Sequence, residues 1–163
     1  MKREQFLIPF SQEHHTGLVV ALLIQKKSPR FSNLPDTIEG KKQYLLETFK
    51  NELLPHFERE EELLIEGMRY QAAESSDYSR RVLNEHTQMK SMIEEIRSTE
   101  APIELMDTFG TLLEQHIRYE EREWFQYLQE MTSQEQKDNV LQLLNREQIG
   151  GKNCQIGRKH SEK

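Results

Sequence analysis

The chain has 163 residues, a formal charge of −6 and 31% charged residues, a length suited to one domain or one domain plus a tail. The acidic balance offers no clustered Lys and Arg to neutralise a nucleic-acid backbone. The longest apolar run, Leu18 to Ile24, falls far short of the roughly 20 residues that span a bilayer. Pro9 interrupts Phe6-Leu7-Ile8 after the basic start, so a secretory signal lacks its apolar middle. The single cysteine, Cys154, excludes an internal disulfide. The expectation is a cytoplasmic protein with neither nucleic acid nor membrane as partner.

With 19 Leu and 24 Glu against four Val, the composition favours helix over sheet, and the domain reads as all-α. A first helix is predicted over about Ser11 to Lys27, closed off by Pro29 and Pro35, and a long second one from near Asp36. Ser75-Ser76-Asp77 supplies caps for a third, and Pro102 suits the first position of a fourth. Ser133 and Gln136 have capping-box spacing ahead of Val140, Leu141, Leu143 and Leu144, which predicts a short fifth helix packed outside the other four. The stretch from Gly150 has no periodicity and reads as a flexible tail, 150–163, with Cys154 and His160 exposed on it. The domain is therefore 1–149.

Each long helix should keep apolar residues on one stripe. The second gives Leu45, Phe49, Leu53, then His56 and Glu60, then Leu63 or Leu64 and Gly67. The third gives Val82, His86, Met89, Ile93 and Ile96. The fourth gives Met106, Phe109, Leu112 or Leu113, then His116 and Glu120, then Trp124 and Tyr127 or Leu128. In the first helix, either His14 with Leu18, Ala21 and Leu22, or His15 with Leu18 and Leu22, faces inward. The parallel between Glu13-His14 and Glu85-His86 favours His14. Glu121 adjoins Glu120, and a slightly unwound helix would present it instead.

One histidine on an apolar stripe is ordinarily a hydrogen-bonded core residue. Four, one per helix, with two His-x-x-x-Glu pairs, point to a shared partner, because burying them unpartnered costs several kcal/mol each. A metal centre satisfies all of them: neutral imidazole donates its lone pair and carboxylate offsets the positive charge. The candidate ligands are His14, His56, Glu60, His86, His116 and Glu120. In the run Glu58-Arg59-Glu60-Glu61-Glu62 only Glu60 lies on the seam, so the rest reads as a solvated face. Pro55 should bend the second helix just before His56. Imidazole and carboxylate suit iron, zinc, manganese and nickel alike, and acidification is expected to release metal at about pH 5 to 6.

The ordered set Glu13-His14-His15, His56-Phe57-Glu58-Arg59-Glu60-Glu61, Glu85-His86 and His116-Ile117-Arg118-Tyr119-Glu120-Glu121, over about Ser11 to Met131, resembles the hemerythrin-like, HHE cation-binding domains. The resemblance implies an up-and-down four-helix bundle around two iron ions. It makes this a non-haem di-iron centre, with Glu60 and Glu120 and an oxo or hydroxo group as bridges and the histidines as terminal ligands. Oxygen-carrying hemerythrins have a histidine where this chain has Lys90, and their fourth-helix acid falls five residues after its histidine, at the place of Glu121. Non-carrier members share the His-x-x-x-Glu spacing. The implied role is therefore binding or sensing of O2, NO or redox and iron state rather than oxygen transport. An enzyme reducing peroxide or NO is the alternative, and a metal-free helical interaction module a third. The Glu-x-x-His pattern of ferritin-like proteins is not followed.

Overall fold

The computed structural model describes residues 2–67 and 77–156, the last ten of them in backbone only. Among the described residues every regular element is helical. After a single 3-10 turn, Gln5–Leu7, come α1 (Ile8–Ile24), α2 (38–66), α3 (Asp77–Ser98), α4 (103–131) and α5 (Gln134–Ile156). None is long and apolar enough to cross a membrane.

Local chemistry sets the ends. Pro9 stands in the first turn of α1, where a missing N–H is harmless, so α1 can begin three residues before the expected Ser11; it ends at Ile24, three before the expected Lys27, where Gln25 turns extended. Thr37 caps α2 by accepting from the Gly40 N–H at 3.1 Å. Pro102 lies just outside α4 and accepts the Met106 N–H through its carbonyl at 2.8 Å. Ser133 and Gln136 form the expected reciprocal box, at 3.0 and 3.4 Å. The expected caps Ser75 and Ser76, together with His160, lie outside the described residues, as does the side chain of Cys154.

α5 is not short. It runs for 23 residues and continues past Gly150, where the sequence reading starts a tail. No proline interrupts 134–156, so no backbone donor is missing from its ladder. Its Val140 and Leu144 are buried with Phe6, Leu7 and Leu128.

α1 packs along α4 and beside α2, and α3 packs on α4 and α2. The buried face of α1 carries Phe10, His14, Gly17, Val20, Ala21, Leu23 and Ile24, while Leu18 and Leu22 are exposed. This corrects both expected stripes of the first helix. The missing signal is glycine: a Cβ on Gly17 would lie 2.7 Å from Ile117 Cδ1, and one on Gly110 would lie 2.7 Å from the Ala21 carbonyl oxygen. The two backbones approach through these positions. Gly110→Ala gains about 1 kcal/mol of helix propensity, yet the carbonyl it meets cannot rotate away as a side chain can. A net loss of about 1 to 3 kcal/mol is expected, read as a lower midpoint in chemical unfolding.

Two apolar clusters occupy the ends of this assembly. One gathers Leu45, Phe49, Phe57, Met89, Ile93 and Phe109 with their neighbours. The other gathers Phe6, Phe10, Leu64, Val82, Trp124 and Phe125 with theirs. Between them, on α1 to α4, lies a layer of buried histidine and glutamate.

Candidate metal centre

His14, His56, Glu60, His86, His116 and Glu120 are all at most 4% exposed, and Glu60, His86, His116 and Glu120 are wholly buried. α1 contributes His14, α2 His56 and Glu60, α3 His86, and α4 His116 and Glu120. The i, i+4 spacing of His56 with Glu60 and of His116 with Glu120 puts each pair on one helical face, with Nε2 to carboxylate distances of 3.4 and 3.2 Å. His14 Nε2 lies 3.0 Å from Glu120 and 3.7 Å from Glu60. His86 Nε2 lies 3.5 Å from Glu60 and 4.0 Å from Glu120. Both carboxylates therefore stand between two pairs of imidazoles.

The backbone around the centre departs from regular α-helix in three places. π-helical turns span Phe49–Leu53, Glu60–Glu66 and Glu120–Trp124, and such turns often sit at functional sites. The first lies just before Pro55, whose missing N–H predicts a bend; there the Leu54 N–H reaches back five residues to Phe49. The other two start at Glu60 and Glu120. A wider turn brings successive side chains closer in direction, which lets Glu60 and Glu120 point inward while Glu61 and Glu121 reach the flanking histidines. Unwinding occurs, but Glu120 is the inner residue and Glu121 the outer.

Each of the four inner histidines is held from behind. The Nδ1 of His56 lies 2.8 Å from Glu13, that of His86 2.8 Å from Glu61, that of His116 2.8 Å from Glu85, and that of His14 2.7 Å from Glu121. A carboxylate accepts, so each Nδ1 carries a proton, and each Nε2 faces the interior, where its lone pair is available to a metal once any proton on it has left. The supports run in chain order: α1 holds the histidine of α2, α2 that of α3, α3 that of α4, and α4 that of α1. A cation backs each outer carboxylate in turn. Arg59 pairs with Glu13, Lys90 with Glu61 at 3.0 Å, Arg81 with Glu85 at 2.7 Å, and Arg3 with Glu121.

The charges reinforce one another. Burial opposes protonation of His14, His86 and His116, but the facing carboxylates outweigh it. His14 is raised well above the usual imidazole value by Glu120, Glu121 and Glu60. His86 is raised by Glu60 and Glu61, and His116 to about 9 by Glu120 and Glu85. Burial and the charge of Glu120 push Glu60 upward, yet the imidazoles of His56, His14 and His86 bring it below the usual carboxylate range. Glu120 is held well below that range, since His116 and His14 overcome its burial. Burial is likewise outweighed at Glu121, where His14, Ser11 and Arg3 bring it to about 2.

The six expected ligands are the six inner residues, whereas the outer role of Glu13, Glu61, Glu85 and Glu121 is not expected from the sequence, which offers Glu121 only as an inner alternative to Glu120. Glu61 and Arg59 are not merely a solvated face: Glu61 bonds His86 and Lys90, and Arg59 bonds Glu13. Adjacency was the available signal, because each outer glutamate directly precedes or follows an inner residue in the chain. His15 is exposed. Tyr119 stacks on Tyr78 at 6.3 Å under the Arg81 guanidinium, 3.7 Å from its ring. Glu85→Gln keeps the shape but weakens the acceptor on His116, and metal affinity is expected to fall about 10- to 100-fold, as measured by competition with a chelator.

The donor set fits metal ions on several counts. His14 Nε2, His56 Nε2 and both oxygens of Glu60 and of Glu120 are buried with no hydrogen-bond partner, an arrangement that is costly unless a ligand completes it. His86 and His116 bring their Nε2 atoms to 3.1 Å of each other, close to the roughly 3.0 Å separating two nitrogens at right angles about 2.1 Å from one cation. Two groups, His14, His56, Glu60, Glu120 and Glu60, His86, His116, Glu120, each offer ligand atoms within 4.8 Å of one another. They share both carboxylates. Comparison with known proteins gives one finding: the hemerythrin HHE cation-binding domain matches residues 12–128. Neither the curated proteins nor the solved structures yielded a match. The match takes in all six inner residues and well over half of the chain, which thus belongs to the hemerythrin HHE cation-binding domain family.

Proposed function

We propose that α1 to α4 form an up-and-down four-helix bundle holding two iron ions. His14 and His56 would ligate one ion, His86 and His116 the other, and Glu60 and Glu120 both. The observation that carries this reading is the sharing of both carboxylates between two four-residue groups: one ion leaves half of the imidazoles idle, and two engage all four imidazoles and both carboxylates. Iron rather than zinc or manganese rests on kinship with the family, since the donor types serve all three.

The protein's role is then to bind or sense a small diatomic molecule, O2 or NO, or the redox and iron state of the cytoplasm. When bound, a pair of iron ions supplies a redox couple and a position for such a ligand. The residues supply the rest. Outer carboxylates hold the imidazoles in the metal-binding tautomer, inner carboxylates neutralise charge, and the apolar clusters on either side exclude water. Lys90 turns outward to Glu61, so the centre has one imidazole fewer than in the oxygen carriers, which favours sensing or reaction over oxygen transport. A single cysteine is in keeping with a reducing compartment. The alternative of a peroxide or NO reductase uses the same centre and is separated by turnover.

The test is metal analysis and absorption spectroscopy of iron-loaded protein, with and without O2 or NO. Two iron ions per chain and a spectrum that responds to either gas support the reading. A folded, monodisperse chain that takes up no iron overturns it. Sustained consumption of peroxide or NO with a chemical reductant decides for the enzyme.

A further inference from the structure

The two halves of the centre differ in how they meet the surface. His86 and His116 are wholly buried, and Phe57 covers them, stacked on His86 at 4.1 Å and edge-on to His116 at 5.7 Å. His56, in contrast, forms the inner wall of a surface cavity of about 240 Å³ between α1 and α2. The other polar walls are Glu13, Thr16, Asn51, Glu52 and Arg59. Two carboxylates, an amide and a hydroxyl are the hard oxygen donors that divalent cations prefer.

Behind the cavity stands an unmet demand. His56 is 4% exposed, and its Nε2 has no hydrogen-bond partner. One imidazole ring thus separates an oxygen-lined cavity from the orphaned atoms of the centre. Glu13 is the hinge between them. Its Oε2 accepts from both His56 Nδ1, at 2.8 Å, and Arg59, and neither contact uses Oε1.

We propose that this cavity is the port by which divalent cations enter and leave the centre. Glu13 Oε1 is the first ligand, and Arg59 is the gate that competes for the same carboxylate. An arriving cation draws Glu13 away from Arg59 and loosens its bond to His56, so the ring can turn and pass the ion inward. The half of the centre with His14 and His56 therefore exchanges metal first, and the half with His86 and His116 exchanges through it. This inference rests on the metal-binding reading and adds a route to it.

The experiment follows release of cobalt(II) from the fully loaded chain into excess chelator, and its uptake by the metal-free chain. Release is expected in two phases of equal amplitude, the faster from the His14 and His56 half. Thr16→Trp, which fills the cavity, is expected to slow uptake and the fast phase at least tenfold while two ions still bind at equilibrium. Glu52→Lys changes charge without filling space, and is expected to slow uptake several-fold at low salt, with the difference vanishing at high salt. Arg59→Ala is expected to speed it. A single release phase, or wild-type rates in both Thr16→Trp and Glu52→Lys, overturns the port and leaves the metal centre standing. Failure of the unaltered chain to bind cobalt or iron overturns the metal reading, and the port with it.

Discussion

Replacing Glu60 with alanine is expected to empty the centre of both metal ions, whereas His56→Ala is expected to leave one. Glu60 belongs to both four-residue groups, while His56 belongs to only one. The metal-free chain should also suffer more from the loss of Glu60. Four imidazoles face two inner carboxylates, and removing one carboxylate strands buried positive charge. Breaking a buried ion pair from one side costs about 3 to 5 kcal/mol. Glu60→Gln keeps the volume and guards against outright unfolding. Metal content per chain after gel filtration, with urea unfolding of the metal-free proteins, gives the answer. Two ions retained by Glu60→Gln, or none by a folded His56→Ala, would contradict the shared-carboxylate geometry.

Metal affinity and metal-free stability are expected to respond to pH with opposite signs. His116, raised to about 9, and His14 and His86, also raised, add stability to the metal-free chain. That stability is fully present below the unfolded imidazole value of about 6.5. It is lost as pH climbs through the folded values, for His116 near 9. Metal needs the Nε2 lone pair, so binding must expel those protons. Apparent affinity should therefore rise through the same window, about tenfold per pH unit for each proton displaced. Acid release then begins at a pH above the range of about 5 to 6 that unperturbed histidines would set. Thermal unfolding of metal-free and loaded protein across this range, with calorimetry in buffers of different ionisation enthalpy, measures both trends. A loaded protein that gains nothing over the metal-free form between neutral pH and pH 9 would refute the exchange.

The inner layer could be read in the sequence because polarity on an apolar stripe is conspicuous. His56, Glu60, His86, His116 and Glu120 stand where Leu or Ile would serve packing, and all five are buried. α1 was harder, because Gly17 contributes no side chain to a hydrophobic pattern and yet defines the contact with α4. The outer glutamates escaped for a different reason. They lie on helix flanks, where a charge ordinarily meets solvent, and only the placement of the next helix turns Glu85 from a flank residue into the partner of His116. The π-turns carry no residue-type signature of their own. Pro55 points to a bend near the first, and the neighbouring acids Glu120 and Glu121 to unwinding at the last, but nothing in the residue types marks the turn beginning at Glu60. The length of α5 was missed because periodicity measures burial, and a helix can continue beyond the residues that anchor it.

The hand-to-hand support of the four histidines forms a loop without ends. Glu13, Glu61, Glu85 and Glu121 each serve a ring on another helix, and each adjoins an inner residue of its own helix, so every link is tied to the next. Damage to one link therefore loosens its neighbours, so paired substitutions at these glutamates should depart from the sum of the single ones. Tuning such a site by piecemeal mutation is correspondingly difficult: a change at any station is felt all the way round.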